Sequence, residues 1–101
     1  MAMQKVAKAS EIPVGGSKIV VFEDREVAVF KVKEKEIYAV SNACPHQGGP
    51  LGEGYLDGTT VTCPWHAWEF DVRTGACKTV PQNRIKAYKV KIDGDDVWLG
   101  A

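Results

Sequence analysis

The chain lacks most of what would suit it to a membrane, a nucleic acid or a disulfide framework. No stretch approaches the roughly 18 consecutive apolar residues that a spanning helix needs. Net charge is missing too, because thirteen basic residues balance thirteen acidic ones. That balance leaves no footprint for a nucleic acid or an anionic membrane surface. Residues 1–16 hold no apolar signal region and no twin-arginine pair. The expected location is therefore the cytoplasm. Internal repeats, linkers and low-complexity segments are absent. With 101 residues the chain has room for one domain. A chain of this size buries roughly 65% of the surface its unfolded form exposes, which supports a modest core. Cysteine is scarce, at three, and histidine scarcer, at two.

Those few residues are concentrated. Cys44-Pro45-His46 is followed, after sixteen residues, by Cys63-Pro64-Trp65-His66. Both histidines sit beside a cysteine at ligand spacing, and each loop offers one thiolate and one imidazole. Such a set can hold zinc tetrahedrally or an iron–sulfur cluster. Zinc sites usually pair Cys with Cys and His with His, with a helix presenting the histidines. Here each loop is mixed and turn-rich. Pro45, Gly48, Gly49, Pro50 and Pro64 preset or permit unusual backbone angles. In a Rieske-type [2Fe–2S] centre one iron takes both Cys and the other both His.

The pattern Cys-x-His-x16-Cys-x2-His, with Gly49-Pro50-Leu51 after the first pair, resembles a Rieske domain. The resemblance runs from about Lys5 to Leu99. It implies one [2Fe–2S] cluster per chain. Cys44 and Cys63 would ligate the buried iron. His46 and His66 would ligate the outer iron through Nδ1, leaving Nε2 at the surface. It also implies the fold: an all-β, Rieske-like antiparallel β-sandwich. This would be one domain over residues 1–101, with a cluster-binding subdomain of about 42–80 inserted in a basal β domain.

Two neutral imidazoles in place of two thiolates make a cluster less negative and raise its potential, into a range of roughly −150 to +300 mV. The high-potential proteins of the resembling class join their loops by a disulfide. The matching positions here are Gly49 and Trp65. Those proteins also aim a Ser and a Tyr hydroxyl at the sulfurs, where this chain has Trp68 and Phe70. If each missing donor is worth about 1.4 kcal/mol, it lowers a one-electron potential by roughly 60 mV. The expectation is a low-potential, ferredoxin-like protein.

Turn residues at regular intervals predict short strands throughout. Strands are expected at Gln4–Ala9, Lys18–Phe22, Arg25–Val32 and Glu36–Ser41, the last three as a meander. Ser10–Pro13 could form one helical turn. Val27, Ala28, Val29 and Phe30 give the third strand two apolar faces, so it should be central. Lysines 31, 33 and 35 read as a solvated strand end. Asp57-Gly58 predicts a hairpin between Tyr55-Leu56 and Thr60–Thr62, with both turn residues at positive φ. Arg73-Thr74-Gly75 should turn Glu69–Val72 back into Ala76–Lys78. Thr79–Arg84 reads as a loop, which in the resembling family covers the cluster. Ile85–Ile92 and Val97–Leu99 complete the strands. Phe70 and Trp98 read as core, and Trp68 as packing under the second loop. Leu51 should keep water from the cluster. Cys77 reads as a small buried hydrophobe; pairing it would destroy the metal site. Trp65 is expected to stay partly exposed beside His66, as an aromatic contact for a partner.

With all histidines assigned, no mononuclear iron site is expected. The resemblance thus implies an electron carrier rather than an enzyme. It would take one electron from a flavin-dependent reductase and pass it to a terminal oxygenase, often of aromatic rings. The exit route would be the imidazole edges, ringed by Pro45, Gln47, Trp65 and Pro81. Two alternatives stand beside it. One is a small subunit bound to the large subunit of an assimilatory nitrite reductase. The other is a zinc-stabilised interaction module.

Overall fold

A computed structural model describes residues 3–34, 36–44, 49–65 and 67–100. Among the described residues nine strands follow one another: β1 (Gln4–Lys8), β2 (Ser17–Phe22), β3 (Arg25–Lys33), β4 (Glu36–Ser41), β5 (Tyr55–Asp57), β6 (Thr60–Thr62), β7 (Glu69–Asp71), β8 (Ala87–Asp93) and β9 (Asp96–Gly100). Two 3₁₀ turns interrupt them, at Ala9–Glu11 and Leu51–Glu53. Every paired strand is antiparallel. Six strands form one sheet in the order β1-β9-β8-β4-β3-β2, and β5-β6-β7 form a second. The edge strands β1 and β2 approach each other, so the larger sheet curls toward a barrel. Among the described residues no helix is long and apolar enough to cross a membrane.

The apolar run of β3 explains how the two sheets meet. Val27, Ala28, Val29 and Phe30 are all fully buried. Successive strand side chains point to opposite faces. Val27 and Val29 join Phe22, Ile37, Val97 and Leu99 in a core enclosed by the curled sheet. Ala28 and Phe30 join Val40, Leu51, Val61 and Phe70 in a second core, shared with the small sheet. β3 is therefore a wall between two cores, which is why it lacks the usual polar face. It sits between β2 and β4, in the expected meander.

Several expectations need correction. Lys31 is not at a solvated strand end: it is 5% exposed, and its Nζ donates to the Ala9 carbonyl at 3.2 Å. Its long stem lets the ammonium reach the Ala9 carbonyl, which also accepts from the Ile12 N–H at 3.1 Å. Lys33 is exposed as expected, and Lys35 lies outside the described residues. The β5–β6 loop is Gly58-Thr59, one residue later than expected, since Asp57 pairs with Thr60. Of these loop residues Gly58 alone has positive φ, at 61°. That is the II′ pattern rather than the I′ pattern of an Asp-Gly turn. Trp98 is not core: it alternates with the buried Val97 and Leu99 and faces outward between Lys5 and Lys91. β8 begins at Ala87, where the alternation broken by Lys86 resumes.

Candidate metal centre

Both cysteine loops are closed by backbone hydrogen bonds at their stems. In the first, the Cys44 N–H donates to the Gly49 carbonyl at 2.9 Å, and Ala43 bridges Pro50. In the second, the Cys63 N–H donates to the Trp68 carbonyl at 2.7 Å. The β5–β6 hairpin delivers Cys63 to its loop, and β7 carries the chain away. Closing the second turn places Ala67 at φ 59°, a left-handed conformation that is unfavourable for a side chain with a Cβ. Strain of this kind persists where the surroundings over-determine it.

The structure brings Cys44 and Cys63 together. Each is 2% exposed, and their thiols are hydrogen-bond neighbours. Burial pushes the Cys63 thiol up, and the Cys44 thiol beside it acts in the same direction. The Trp65 backbone N–H, donating toward Cys63 Sγ, opposes both. A backbone donor aimed at a sulfur stabilises the thiolate form that a metal requires.

Gly49 shows how closely the loops approach. A Cβ there would lie 2.9 Å from Cys63 Sγ and 3.1 Å from Trp65 Cγ. The backbone of the first loop thus packs directly on the sulfur of the second. Trp65 flanks this contact with its ring half-exposed, at 49%. Leu51 is fully buried in the same core as the two cysteines, and Trp68 packs against it. Phe70 is core, as expected. Cys77 is buried there too, at 3%, and its Sγ accepts from the Val80 N–H at 3.3 Å. Pro81 is exposed. His46, His66, Pro45 and Gln47, the other expected members of the site and its exit, lie outside the described residues.

Paired buried thiols, a peptide N–H on sulfur and a side-chain-free approach at Gly49 fit a sulfur-ligated metal group held between the two loops. One further participant had no signal in the sequence. Asn42, two residues before Cys44, is buried at 3% and ties the first loop to β3 and to the turn at Leu51–Glu53.

The comparisons with known proteins agree with this geometry. Residues 2–89 match the profile of the Rieske [2Fe-2S] domain. The ferredoxin component of the naphthalene 1,2-dioxygenase system of Pseudomonas aeruginosa is 44% identical over 91 residues, covering 88% of this chain and 86% of the relative. The solved structure of the ferredoxin of carbazole 1,9a-dioxygenase from Nocardioides aromaticivorans IC177 superposes with a TM-score of 0.91 at 29% identity, covering 98% of this chain and 97% of that one. A second solved match, at TM-score 0.86 and 29% identity, comes from a complex of reduced oxygenase and oxidized ferredoxin in carbazole 1,9a-dioxygenase and covers 96% of this chain and 91% of that one. A nitrite reductase small-subunit structure superposes at TM-score 0.89 but 21% identity, a likeness of fold alone. The chain belongs to the Rieske [2Fe-2S] domain family.

Proposed function

We propose that this chain is the electron carrier of a multi-component oxygenase system, and is not itself a catalyst. The observation that carries the reading is the pair of buried, adjacent thiols of Cys44 and Cys63 at the stems of two closed loops. The likeness to dioxygenase ferredoxins over most of their length supports it. Cys44 and Cys63 would hold one iron of the cluster, and His46 and His66 the other. When bound, a Rieske [2Fe–2S] cluster supplies one-electron chemistry. The chain's own residues set the conditions. Leu51 and Phe70, both fully buried, exclude water from the thiol side. The Trp65 N–H aims a dipole at Cys63 Sγ. The half-exposed Trp65 ring gives a partner an aromatic contact beside the second loop.

The acceptor is a terminal oxygenase, in keeping with the oxygenase–ferredoxin complex that contains a similar chain. The donor would be a flavin-dependent reductase. Encounters with both should be small and transient, as redox contacts are. Residues 42–80 would act as a cluster-binding unit carried by the curled sheet, with the cytoplasm as the working compartment. No observation favours the nitrite reductase reading, since the relevant likeness is one of fold only. Rapid mixing tests the proposal: the reduced, cluster-loaded protein is mixed with a resting aromatic-ring dioxygenase and its substrate. Stoichiometric reoxidation coupled to hydroxylated product is expected. Reoxidation by dioxygen alone, with no product, would overturn the carrier role.

A further inference from the structure

We infer that Asn42 is the positioning residue of the first metal-binding loop, fixing where Cys44 presents its sulfur to Cys63. The inference rests on the reading of Cys44 as a ligand and adds a residue that this reading does not contain.

Asn42 is the first residue after β4 and continues the β3–β4 ladder by one step, its N–H donating to the Glu26 carbonyl at 3.1 Å. Its own carbonyl accepts from the Leu51 N–H at 2.8 Å. Any residue but proline could make these two backbone bonds. The side chain makes two more. Nδ2 donates to Glu26 Oε1 at 3.1 Å, and Oδ1 accepts from the Gly52 N–H at 2.7 Å. The amide thus joins three segments: the end of β4, the start of β3, and the turn that follows the loop. The Gly52 carbonyl is held in addition by Ser17 Oγ of β2. A Cβ on Gly52 would lie 2.4 Å from Ile19 Cγ1 and 3.0 Å from Asn42 Oδ1, so this turn is seated against the sheet with no slack.

The chemistry at Asn42 is specific. A backbone N–H can only donate, so Oδ1 must face Gly52; an ionised carboxylate can only accept, so Nδ2 must face Glu26. A side chain of this length needs an acceptor and a donor at once. Asp lacks the donor, and an apolar residue would leave the Gly52 N–H without its partner. From Asn42 the constraint runs a short way. Ala43 bridges Pro50, and the Cys44 N–H donates to Gly49, whose backbone packs on Cys63 Sγ. A shift of the stem therefore moves one sulfur relative to the other.

The test uses the cluster-loaded protein and three variants: Asn42→Asp, Glu26→Gln and the two combined. Readouts are midpoint potential, the electron paramagnetic resonance spectrum of the reduced form, and the rate of cluster loss to a chelator. Asn42→Asp sets two carboxylates against each other. It should shift the potential and spectrum and speed cluster loss by about ten-fold or more, as loss of a group that orients a ligand does. Glu26→Gln keeps an acceptor for Nδ2 and should resemble wild type. In the double variant, the amide introduced at position 26 donates to the carboxylate introduced at position 42. The bond returns with its polarity reversed, and the net charge equals that of wild type. All three readouts should recover. Unchanged readouts in Asn42→Asp, or a double variant no better than Asn42→Asp, would overturn the inference. Should Asn42→Asp fail to fold, Glu26→Ala takes its place, since Glu26 is exposed. It should speed cluster loss where Glu26→Gln does not, and equal behaviour of the two would overturn the inference. Failure of the ligand reading would look different: Cys44→Ser would leave the wild-type spectrum and potential untouched.

Discussion

At the scale of single residues, the site and its surroundings differ in what sets them. Asp71, beside the second loop, receives Arg73 Nε at 3.2 Å and Nη2 at 3.0 Å, as well as the Arg73 backbone N–H at 2.9 Å. These bonds hold its carboxyl below the usual carboxylate range. A carboxyl depressed on folding contributes stability above its unfolded pKa, about 3.9. That contribution is lost as pH falls through the lower folded value. Asp71→Asn should therefore lower the melting temperature at pH 7, and the gap to wild type should close on acidification below about pH 4. Melting curves across that range check it; a gap independent of pH would contradict the assignment. Single residues were unevenly legible in the sequence. The meeting of Cys44 and Cys63 was readable from their spacing in two turn-rich loops. Lys31 was not, because the Ala9 carbonyl that satisfies its ammonium lies on another element. Asn42 gave no signal for the same reason, as its side-chain partners are 16 and 10 residues away.

At the scale of elements, β3 carries the most information. Its side chains alternate between two cores, so neighbouring truncations should have different consequences. Val29→Ala removes volume from the core within the curled sheet, and Phe30→Leu from the core that holds both cysteines. Each should cost about 1–3 kcal/mol. The Phe30 variant should also lose its cluster faster in chelator, and the Val29 variant should not. Denaturant unfolding with parallel bleaching of the visible absorption measures both; equal bleaching would contradict the two-core description. Most strands were legible for a local reason. Alternation and turn residues within a few positions dictate them, as in Glu36–Ser41, where expected and observed bounds coincide. What failed was what neighbours decide. The same alternation that buries Val97 and Leu99 turns Trp98 outward, a consequence that hydrophobicity alone hides. The 3₁₀ turn at Leu51–Glu53 is closed by its own backbone bonds, but where it sits is set by contacts to Asn42 and Ser17.

At the scale of the whole molecule, a curled six-stranded sheet encloses one core and shares a second with a three-stranded sheet. Strands of three residues, as in β5, β6 and β7, are weak on their own. A cluster bridging the two loops would supply what they lack, because metal binding free energy becomes folding free energy. In cluster-free protein, amide exchange should stay slow in β8 and β9 and become fast in β5–β7. Uniform exchange across both sheets would mean that the cluster does not stabilise the smaller one. The all-β class was legible in the sequence; that β3 is a shared wall explains why its apolar run reads as a central strand.

The central claim is that two buried thiols and two histidines hold a low-potential one-electron centre. A reductive titration followed by visible absorption and electron paramagnetic resonance tests it most directly. The account predicts a single one-electron transition near the low end of the Rieske range, about −150 mV, with a spectrum that develops on reduction. A transition far above zero would contradict the reading of Gly49, Trp65, Trp68 and Phe70 as low-potential residues. A colourless protein that takes up no electron and holds zinc would contradict the centre itself.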